Sequence, residues 1–339
     1  MRKILNWKIF SENRDVIYGI SIISIMIFHY VEDCILAGAG GGAFVKLYSR
    51  LISSLGVEIF LFLSGIGLYF SMQKNQNVKM FYRKRIQRTL IPAVIVMTCY
   101  WIVLDILIKK SDALQFIGDL IFVTFWTSGT RTFWYVLLVF TSYAIWPLAY
   151  RYFKCPISDK YKLFGVLFAT IALPYVIKEL SPNIYANTEI LLNRFLIFLL
   201  GGLAGEKVYH QDKITRIDFA LLNTGFLLKI LSEVNSTSWI STNGNRIVSC
   251  FWGITVLFYG ALLLKLIKND KLKKIVSIFG KSSFELYLTH VAIRGIMKSC
   301  GIQTYHLLNY LVCIAMSIVF TCVLNSIRRR LINNENCAI

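Results

Sequence analysis

A histidine and a glutamate lie within two long apolar runs near the beginning of the chain. His29 closes the run 20–29, and Glu58 interrupts the run 56–63. An ionisable side chain inside a membrane-spanning helix costs about 2.5–3.5 kcal/mol on insertion scales, so such residues usually face a bundle interior and serve chemistry or transport. Histidine titrates near neutral pH and can take a proton from a hydroxyl, while a nearby carboxylate can orient the imidazole. Together the two residues predict proton-transfer chemistry inside a membrane protein.

Composition indicates which elements position these residues. The 339 residues are 56% hydrophobic and 16% charged, with a mean hydropathy of +0.59, whereas a soluble domain has about 25% charged residues. Apolar runs of about 20 residues recur, and each is long enough for a helix to cross roughly 30 Å of hydrocarbon. We therefore expect an all-α, polytopic membrane bundle of about ten spans: 15–33, 51–72, 89–108, 132–150, 163–179, 190–206, 217–233, 247–267, 282–298 and 307–327.

A further apolar stretch, 113–128, is interrupted by Asp119 and is shorter than a full span. We expect it to form a re-entrant or interfacial segment on the outer side of the membrane; if it crosses, there are eleven spans. The pattern predicts one transmembrane domain, 1–330, followed by a short cytoplasmic tail, 331–339.

The net charge of +19 is distributed along the borders of the apolar runs. This placement is the orientation signal of a membrane protein and argues against a nucleic-acid partner. Most of the 37 basic residues fall in alternate connecting segments that begin with the N-terminus, so we expect both termini in the cytoplasm and a multi-pass protein of the inner or plasma membrane. The four histidines and eight cysteines lack metal-ligand spacing, and we expect no metal.

Helical rise converts sequence position into depth. His29 is about 21 Å from the start of its span and therefore lies toward the outer side, Glu58 is about 10 Å into the next span, and Arg194 is about 6 Å into a later one. Trp134 opens another inward-running span. We expect these four residues to converge at the outer third of the membrane. There Arg194 can steady an oxyanion or bind an anionic group.

Two other groups of residues belong to the same hypothesis. Tyr287 and His290 are three positions apart near mid-depth of their span, where they could line a polar path into the bundle. The segment 79–92 is cytoplasmic in the ten-span arrangement and strongly basic, and its cations could bind a nucleotide-like donor or anionic lipid headgroups.

Each feature also has a structural interpretation that stays open. Either histidine could simply bond a neighbouring helix, and Glu58 could be an ion-pair partner of Arg194. Trp134 could be an ordinary interfacial aromatic residue, and the basic segment could serve orientation alone. A covalent serine mechanism has no support, because the chain contains no Gly-x-Ser-x-Gly motif.

Taken in order, five motifs resemble the acyltransferase-3 family of membrane-bound O-acyltransferases. They are the first span from Asp15 to His29, the Gly-Val-Glu segment ending in Ser-Gly at 56–65, the basic segment Phe-x-x-x-Arg-x-x-Arg-x-x-x-Pro at 81–92, Phe-Trp-Tyr at 133–135, and Gly-x-x-Ser-x-x-x-Tyr-Leu-x-His at 280–290. One departure concerns the arginine that the family usually has eleven positions before the first histidine, since Tyr18 stands there. Arg14 or Arg194 could replace it.

The resemblance implies transfer of an acetyl or other short acyl group from acyl-CoA to a hydroxyl of a cell-envelope polysaccharide or lipid-linked sugar. On this interpretation His29 is the general base and Glu58 orients or charges it. The remaining site residues implied are Arg83, Arg85 and Arg88 for the phosphates of acetyl-CoA, Tyr287 and His290 for the acyl path, and Trp134 and Arg194 for the acceptor.

Two other classes of protein compete with an enzyme. A transporter or flippase for an envelope glycan or lipid would use the same buried ionisable groups, and it often has two related halves, which this sequence does not show. A structural or regulatory membrane subunit would use the polar residues only to hold helices together. Consumption of the thioester would separate the enzyme from both.

Overall fold

The computed structural model describes residues 5–52, 55–234 and 242–337, and these residues are almost entirely helical. The first half contains α1 (Ile9–Glu12), α2 (Arg14–Leu36), α3 (Ala43–Leu51), α4 (Leu55–Lys74), α5 (Val78–Arg85), α6 (Ile91–Trp101), α7 (Ala113–Leu120), α8 (Val123–Thr127) and α9 (Trp134–Phe153). The second half contains α10 (Asp159–Leu180), α11 (Pro182–Leu192), α12 (Phe195–His210), α13 (Arg216–Val234), α14 (Thr242–Leu266), α15 (Asp270–Lys281), α16 (Ser283–Ser299) and α17 (Leu307–Cys337).

Seven helices of the described residues are long and apolar enough to cross a membrane: 14–36, 55–74, 78–108, 159–180, 182–210, 244–266 and 307–330. This confirms the prediction of an all-α, multi-pass membrane protein. The other three predicted spans coincide with α9, α13 and α16, which are helical but shorter or less apolar, so the count of ten and the orientation of the termini stay predictions.

Two details of the predicted organisation concern short segments. The stretch 113–128 folds into α7 and α8, of eight and five residues. A helix of eight residues is about 12 Å long and cannot cross the hydrocarbon. At the other end, α17 continues to Cys337 and so includes most of the segment expected to be a tail.

Helix α4 lies at the centre of the bundle and packs closely on α12. An added Cβ at Gly65 would lie 2.3 Å from the carbonyl oxygen of Phe198, and one at Gly201 would lie 2.1 Å from that of Phe62. Without aqueous hydrophobic pressure between helices, small residues of this kind stabilise the bundle by letting two backbones approach. Only glycine fits at either position.

We expect Gly201→Ala to lower the stability of the folded protein in detergent by about 1–3 kcal/mol, because the methyl group overpacks the α4–α12 contact. Thermal unfolding of the purified protein measures the effect. Gly260→Ala is the matched control, since no atom lies within 4 Å of its added Cβ, and alanine in an exposed helix interior stabilises by roughly 0.5–1 kcal/mol. Equal melting temperatures for the two variants would contradict the close approach.

A continuous helix, 78–108, contains two π-helical turns, Ile86–Leu90 and Ile102–Ile108. Pro92 follows the first turn, and a proline within a helix lacks an N–H and clashes with the carbonyl one turn earlier. The wider π turn accommodates this clash. It also carries Arg88, and π turns inside α-helices are frequent at functional sites.

Candidate active site

His29 of α2 lies against His290 of α16. The two imidazole rings are stacked, with centroids 5.4 Å apart and planes 10° from parallel. Parallel rings at this separation present their faces to each other, so neither ring nitrogen of one donates to the other. The pair is therefore a packed platform of two imidazoles, and it unites the histidines of the first and last motifs.

The hydrogen bonds of His290 define its tautomer. The hydroxyl of Tyr310 donates to the carbonyl oxygen of Met26, and its oxygen lies 3.1 Å from Nε2 of His290. Because a carbonyl can only accept, the Tyr310 proton is committed there and Nε2 of His290 must be the donor. Nδ1 is then the unprotonated nitrogen, 3.9 Å from the thiol sulfur of Cys313. His290 is fully buried and committed to protein partners.

His29 differs from His290 in its partners. Its Nδ1 is buried and accepts or donates no hydrogen bond within the described part of the chain, and the residue is partly rather than fully buried. An imidazole with an uncommitted nitrogen can serve a reacting group, whereas one held on both edges cannot. Of the two stacked histidines, His29 is thus the one with a ring nitrogen that is not committed to a protein partner.

Of the four residues expected to converge, Glu58, Arg194 and Trp134 do so, whereas His29 lies against His290. Nε of Arg194 lies 3.2 Å from Oε1 of Glu58, and the guanidinium carbon lies 4.8 Å from the ring centroid of Trp134. Nη1 of Arg194 also donates to the carbonyl oxygen of Ile190 at 3.1 Å. The side chains of Glu58 and Arg194 are 1% and 6% exposed, so this is a buried ion pair capped by an aromatic ring.

Glu58 contacts Arg194 and makes no hydrogen bond to His29 or to any other described residue, so the expected orienting contact from Glu58 to the His29 imidazole is not formed. The side chain of Glu58 points away from His29 because of which face of α4 packs against each neighbouring helix. Gly56 faces α2, where an added Cβ would lie 2.4 Å from Ile25. Glu58 is two residues, roughly 200°, further around the helix, and its Cβ lies beside Gly253 of α14.

A second ion cluster adjoins this pair. Buried Glu189 accepts from Arg131 at 3.4 Å and from Arg246 at 3.3 and 3.4 Å, and both Glu189 and Arg246 interact electrostatically with Arg194. These two adjoining clusters together hold two carboxylates and three guanidinium groups, which leaves one positive charge in excess among them. Sequence reasoning missed Glu189. Its position five residues before Arg194 could have indicated that it lies near this ion pair.

The other end of the bundle contains a basic cavity of about 520 Å³. Its charged lining residues are Arg14, Asp15, Lys74, Arg85, Arg88, Lys281, Glu285 and Arg328, and its hydroxyl-bearing ones include Tyr18, Ser64, Ser71, Thr89, Tyr135 and Tyr143. Arg328 donates to Glu285, which still leaves a clear excess of cations. We call this region the basic end and the region of His29 the histidine end.

The three arginines predicted for the donor are placed differently. Arg85 and Arg88 line the cavity, whereas Arg83 is exposed and is not among its lining residues. Nη2 of Arg85 donates to the hydroxyl of Ser71 at 3.0 Å, and the guanidinium lies over the ring of Tyr143. Arg85 is thus held in place before any ligand binds.

The departure at Tyr18 has a structural counterpart at Arg14. The guanidinium carbon of Arg14 lies 5.5 Å from the ring centroid of Tyr18, and both residues line the cavity. Of the two arginines considered as replacements, Arg14 lies one helical turn before Tyr18, the position where the family usually has arginine. Arg194 is instead paired with Glu58.

Aromatic contacts connect the cavity to the histidine pair. Tyr135 lines the cavity, and its ring centroid lies 4.9 Å from that of Tyr287. His290 follows Tyr287 by three residues, about 4.5 Å along α16, and stacks on His29. Tyr287 and His290, the residues predicted for the acyl path, therefore lie between the basic cavity and His29, with Tyr287 next to the cavity and His290 next to His29.

Across the described ranges, no group of three or more His, Cys, Asp or Glu side chains could hold a metal ion. Sequence reasoning missed Tyr310, which orients His290, and the ion pair of Asp33 and Arg294 described below. A signal for the latter was present, because these residues follow His29 and His290 by four positions.

A sequence profile described as "Acyltransferase domain", of the acyltransferase-3 family, matches residues 14–326. The chain belongs to this family, which confirms the resemblance derived from the five motifs and the prediction of an acyltransferase. It is thus a multi-pass membrane protein of an acyltransferase class.

Curated relatives agree with this class. The chain is similar to O-acetyltransferase OatA of Staphylococcus aureus strains NCTC 8325 / PS 47, COL and MRSA252, with 26% identity over 294 aligned residues in each case. The alignment covers 74% of this chain and 47% of each relative, so the chain spans about half the length of the curated relatives it matches. No solved structure matches it.

Proposed function

We propose that this protein transfers an acetyl group from acetyl-CoA, bound in the basic cavity, to a hydroxyl of a cell-envelope polysaccharide or lipid-linked sugar at the histidine end. One observation carries the proposal: a cation-rich cavity and an uncommitted histidine stand at opposite ends of one aromatic path. A transporter needs no such donor cavity, and the family match favours acyl transfer over transport.

The donor assignment rests on the chemistry of the cavity. Coenzyme A presents three phosphate groups, and Arg–phosphate contacts are charge-assisted and often bidentate. Arg14, Arg85 and Arg88 supply the guanidinium groups, and Ser71 holds Arg85 in position. The basic end would face the cytoplasm, where acetyl-CoA is available and where basic segments of membrane proteins are favoured. We place the protein in the inner or plasma membrane on this argument.

The pantetheine arm is long and thin, so the thioester would extend from the cavity past Tyr135 and Tyr287 toward His29. Both tyrosines are buried, at 5% and 4% exposure. Their rings meet edge to face at 67°, and the arm would pass where this ring contact opens. A buried passage excludes water, which protects the thioester from hydrolysis.

At the histidine end, His29 would accept the proton of the acceptor hydroxyl while its oxygen attacks the thioester carbonyl. The positive charge of Arg194, held by Glu58, would stabilise the oxyanion of the tetrahedral intermediate. Collapse would break the carbon–sulfur bond, and the coenzyme A thiolate would take the proton from the imidazolium. In this scheme Glu58 acts through Arg194, and Trp134 offers the acceptor sugar an aromatic face.

Release of free coenzyme A thiol by the purified protein, with acetyl-CoA and a wall-glycan acceptor, tests the proposal. We expect Arg88→Gln to raise KM for acetyl-CoA by about 10–100-fold with kcat little changed, because a charge-assisted bond is worth about 1.5–3 kcal/mol. Lys84→Gln is the control: Lys84 is an exposed cation of the same segment and does not line the cavity.

Two results would contradict the assignment. Transport of the acceptor without release of coenzyme A thiol would show that the protein is a transporter and not an acyltransferase. An equal rise in KM for Lys84→Gln and Arg88→Gln would attribute donor affinity to the general positive charge of this end and not to the cavity.

A further inference from the structure

One turn beyond the stacked histidines, α2 and α16 are joined by a buried ion pair. Nε of Arg294 donates to Oδ2 of Asp33 at 2.8 Å, and Nη2 donates to Oδ1 at 2.5 Å. Lys298 donates to Oδ1 at 2.8 Å and the hydroxyl of Thr304 donates to Oδ2 at 2.6 Å. Asp33 is 4% exposed. The carboxylate is thus saturated by four contacts, two of them from one bidentate guanidinium.

The spacing relates this pair to the histidines. Asp33 follows His29 by four residues on α2, and Arg294 follows His290 by four residues on α16. Residues four apart lie on the same face of a helix, one turn from each other. The facing sides of α2 and α16 therefore contribute the imidazole stack at one turn and the ion pair at the next. The charge of Arg294 also acts on both imidazole rings.

We propose that Asp33 and Arg294 are positioning residues that clamp α2 to α16 and hold His29 on its His290 platform. The inference rests on the proposed role of His29 as general base. His290 is fixed on α16 by Tyr310, but His29 has no hydrogen bond of its own through Nδ1. Its ring position therefore depends on how closely the two helices approach, and the bidentate pair sets that approach directly beside the stack.

The clamp is expected to affect turnover and not donor binding. It lies at the histidine end, while the donor cavity is lined by residues of the basic end. A displacement of about 1 Å in a catalytic group can cost about 10²-fold in rate. We therefore expect Asp33→Asn to lower kcat by about 10²-fold, with KM for acetyl-CoA within about twofold of the wild-type value.

The chain offers a closely matched control in Asp218. This carboxylate is also 4% exposed, accepts from Lys207 at 2.6 Å and from the hydroxyl of Thr215 at 3.0 Å, and joins α13 to α12 away from the histidines. Asp218→Asn removes a comparable buried ion pair. If the Asp33 pair only supports folding, the two variants will lose thermal stability and activity in parallel, and kcat per folded molecule will stay normal in both.

Arg294→Lys is the conservative variant and the second measurement should Asp33→Asn fail to fold. It keeps the positive charge but cannot bind the carboxylate through two parallel hydrogen bonds, so we expect its kcat to lie between those of wild type and Arg294→Gln. The kcat values are measured in intact membranes per folded molecule. Equal kcat for wild type and Arg294→Gln would overturn the clamp.

The same assays separate this inference from the function on which it rests. Full activity of His29→Ala would refute the general base and the clamp together. Loss of activity in His29→Ala with normal kcat in both Asp33→Asn and Arg294→Gln would refute the clamp alone.

Discussion

Replacing His29 by alanine is expected to lower the rate of acyl transfer by about 10²–10⁴-fold, the usual contribution of general acid–base catalysis. The physical reason is that His29 is the histidine of the stacked pair whose Nδ1 has no protein partner in the described chain. The amount of protein inserted in the membrane should not change, because the substitution removes a polar group from a helix that already spans by length and composition. Thiol release at saturating acetyl-CoA and acceptor measures the effect.

His306→Ala is the matched control for this experiment. His306 lies close in sequence to the last helix and is exposed, with Nε2 2.8 Å from the side-chain oxygen of Gln303. Its replacement removes an imidazole from the protein without touching the stack. Retention of full activity by His29→Ala would refute its role as base, and an equal loss in both variants would point to a general effect of losing histidine.

Breaking the buried pair of Glu58 and Arg194 is expected to have the largest effect on stability. Glu58→Gln or Arg194→Met alone should lower the free energy of unfolding by about 3–5 kcal/mol, because each leaves one buried charge without compensation. The double variant should recover much of this loss, since burying a neutral amide beside a methionine costs less than burying one unpaired charge. Thermal unfolding of detergent-solubilised protein measures all three variants.

Activity distinguishes structure from chemistry in the same variants. If Arg194 stabilises the oxyanion, the double variant will be stable yet strongly impaired in kcat. The exposed pair of Glu12 and Lys265, with side chains 29% and 37% exposed and 2.9 Å apart, is the control, and Glu12→Gln should change stability by less than about 1 kcal/mol. Wild-type stability in Glu58→Gln would contradict a stabilising contribution of this ion pair.

The sequence alone was sufficient to predict the class of the protein and much of its site. Apolar runs without alternation require helices, because only helices satisfy their own backbone hydrogen bonds in lipid. Helical rise is the same for any side chain, so counting residues placed His29, Glu58, Arg194 and Trp134 at a common depth, and the structure joins the last three of them. The five motifs were enough to identify the acyltransferase family.

Only the tertiary structure decided which residues at a given depth touch. Rotation of a helix about its axis depends on where small residues allow close packing, and Gly56 turns α4 so that Glu58 faces Arg194 and not His29. The partner of His29 is instead His290, more than 250 residues away in the chain. The rise of a helix is determined by its backbone, so the depth of a residue can be counted from the sequence. The direction in which the residue points around the helix axis, and the residue it contacts, are determined by packing between segments distant in sequence.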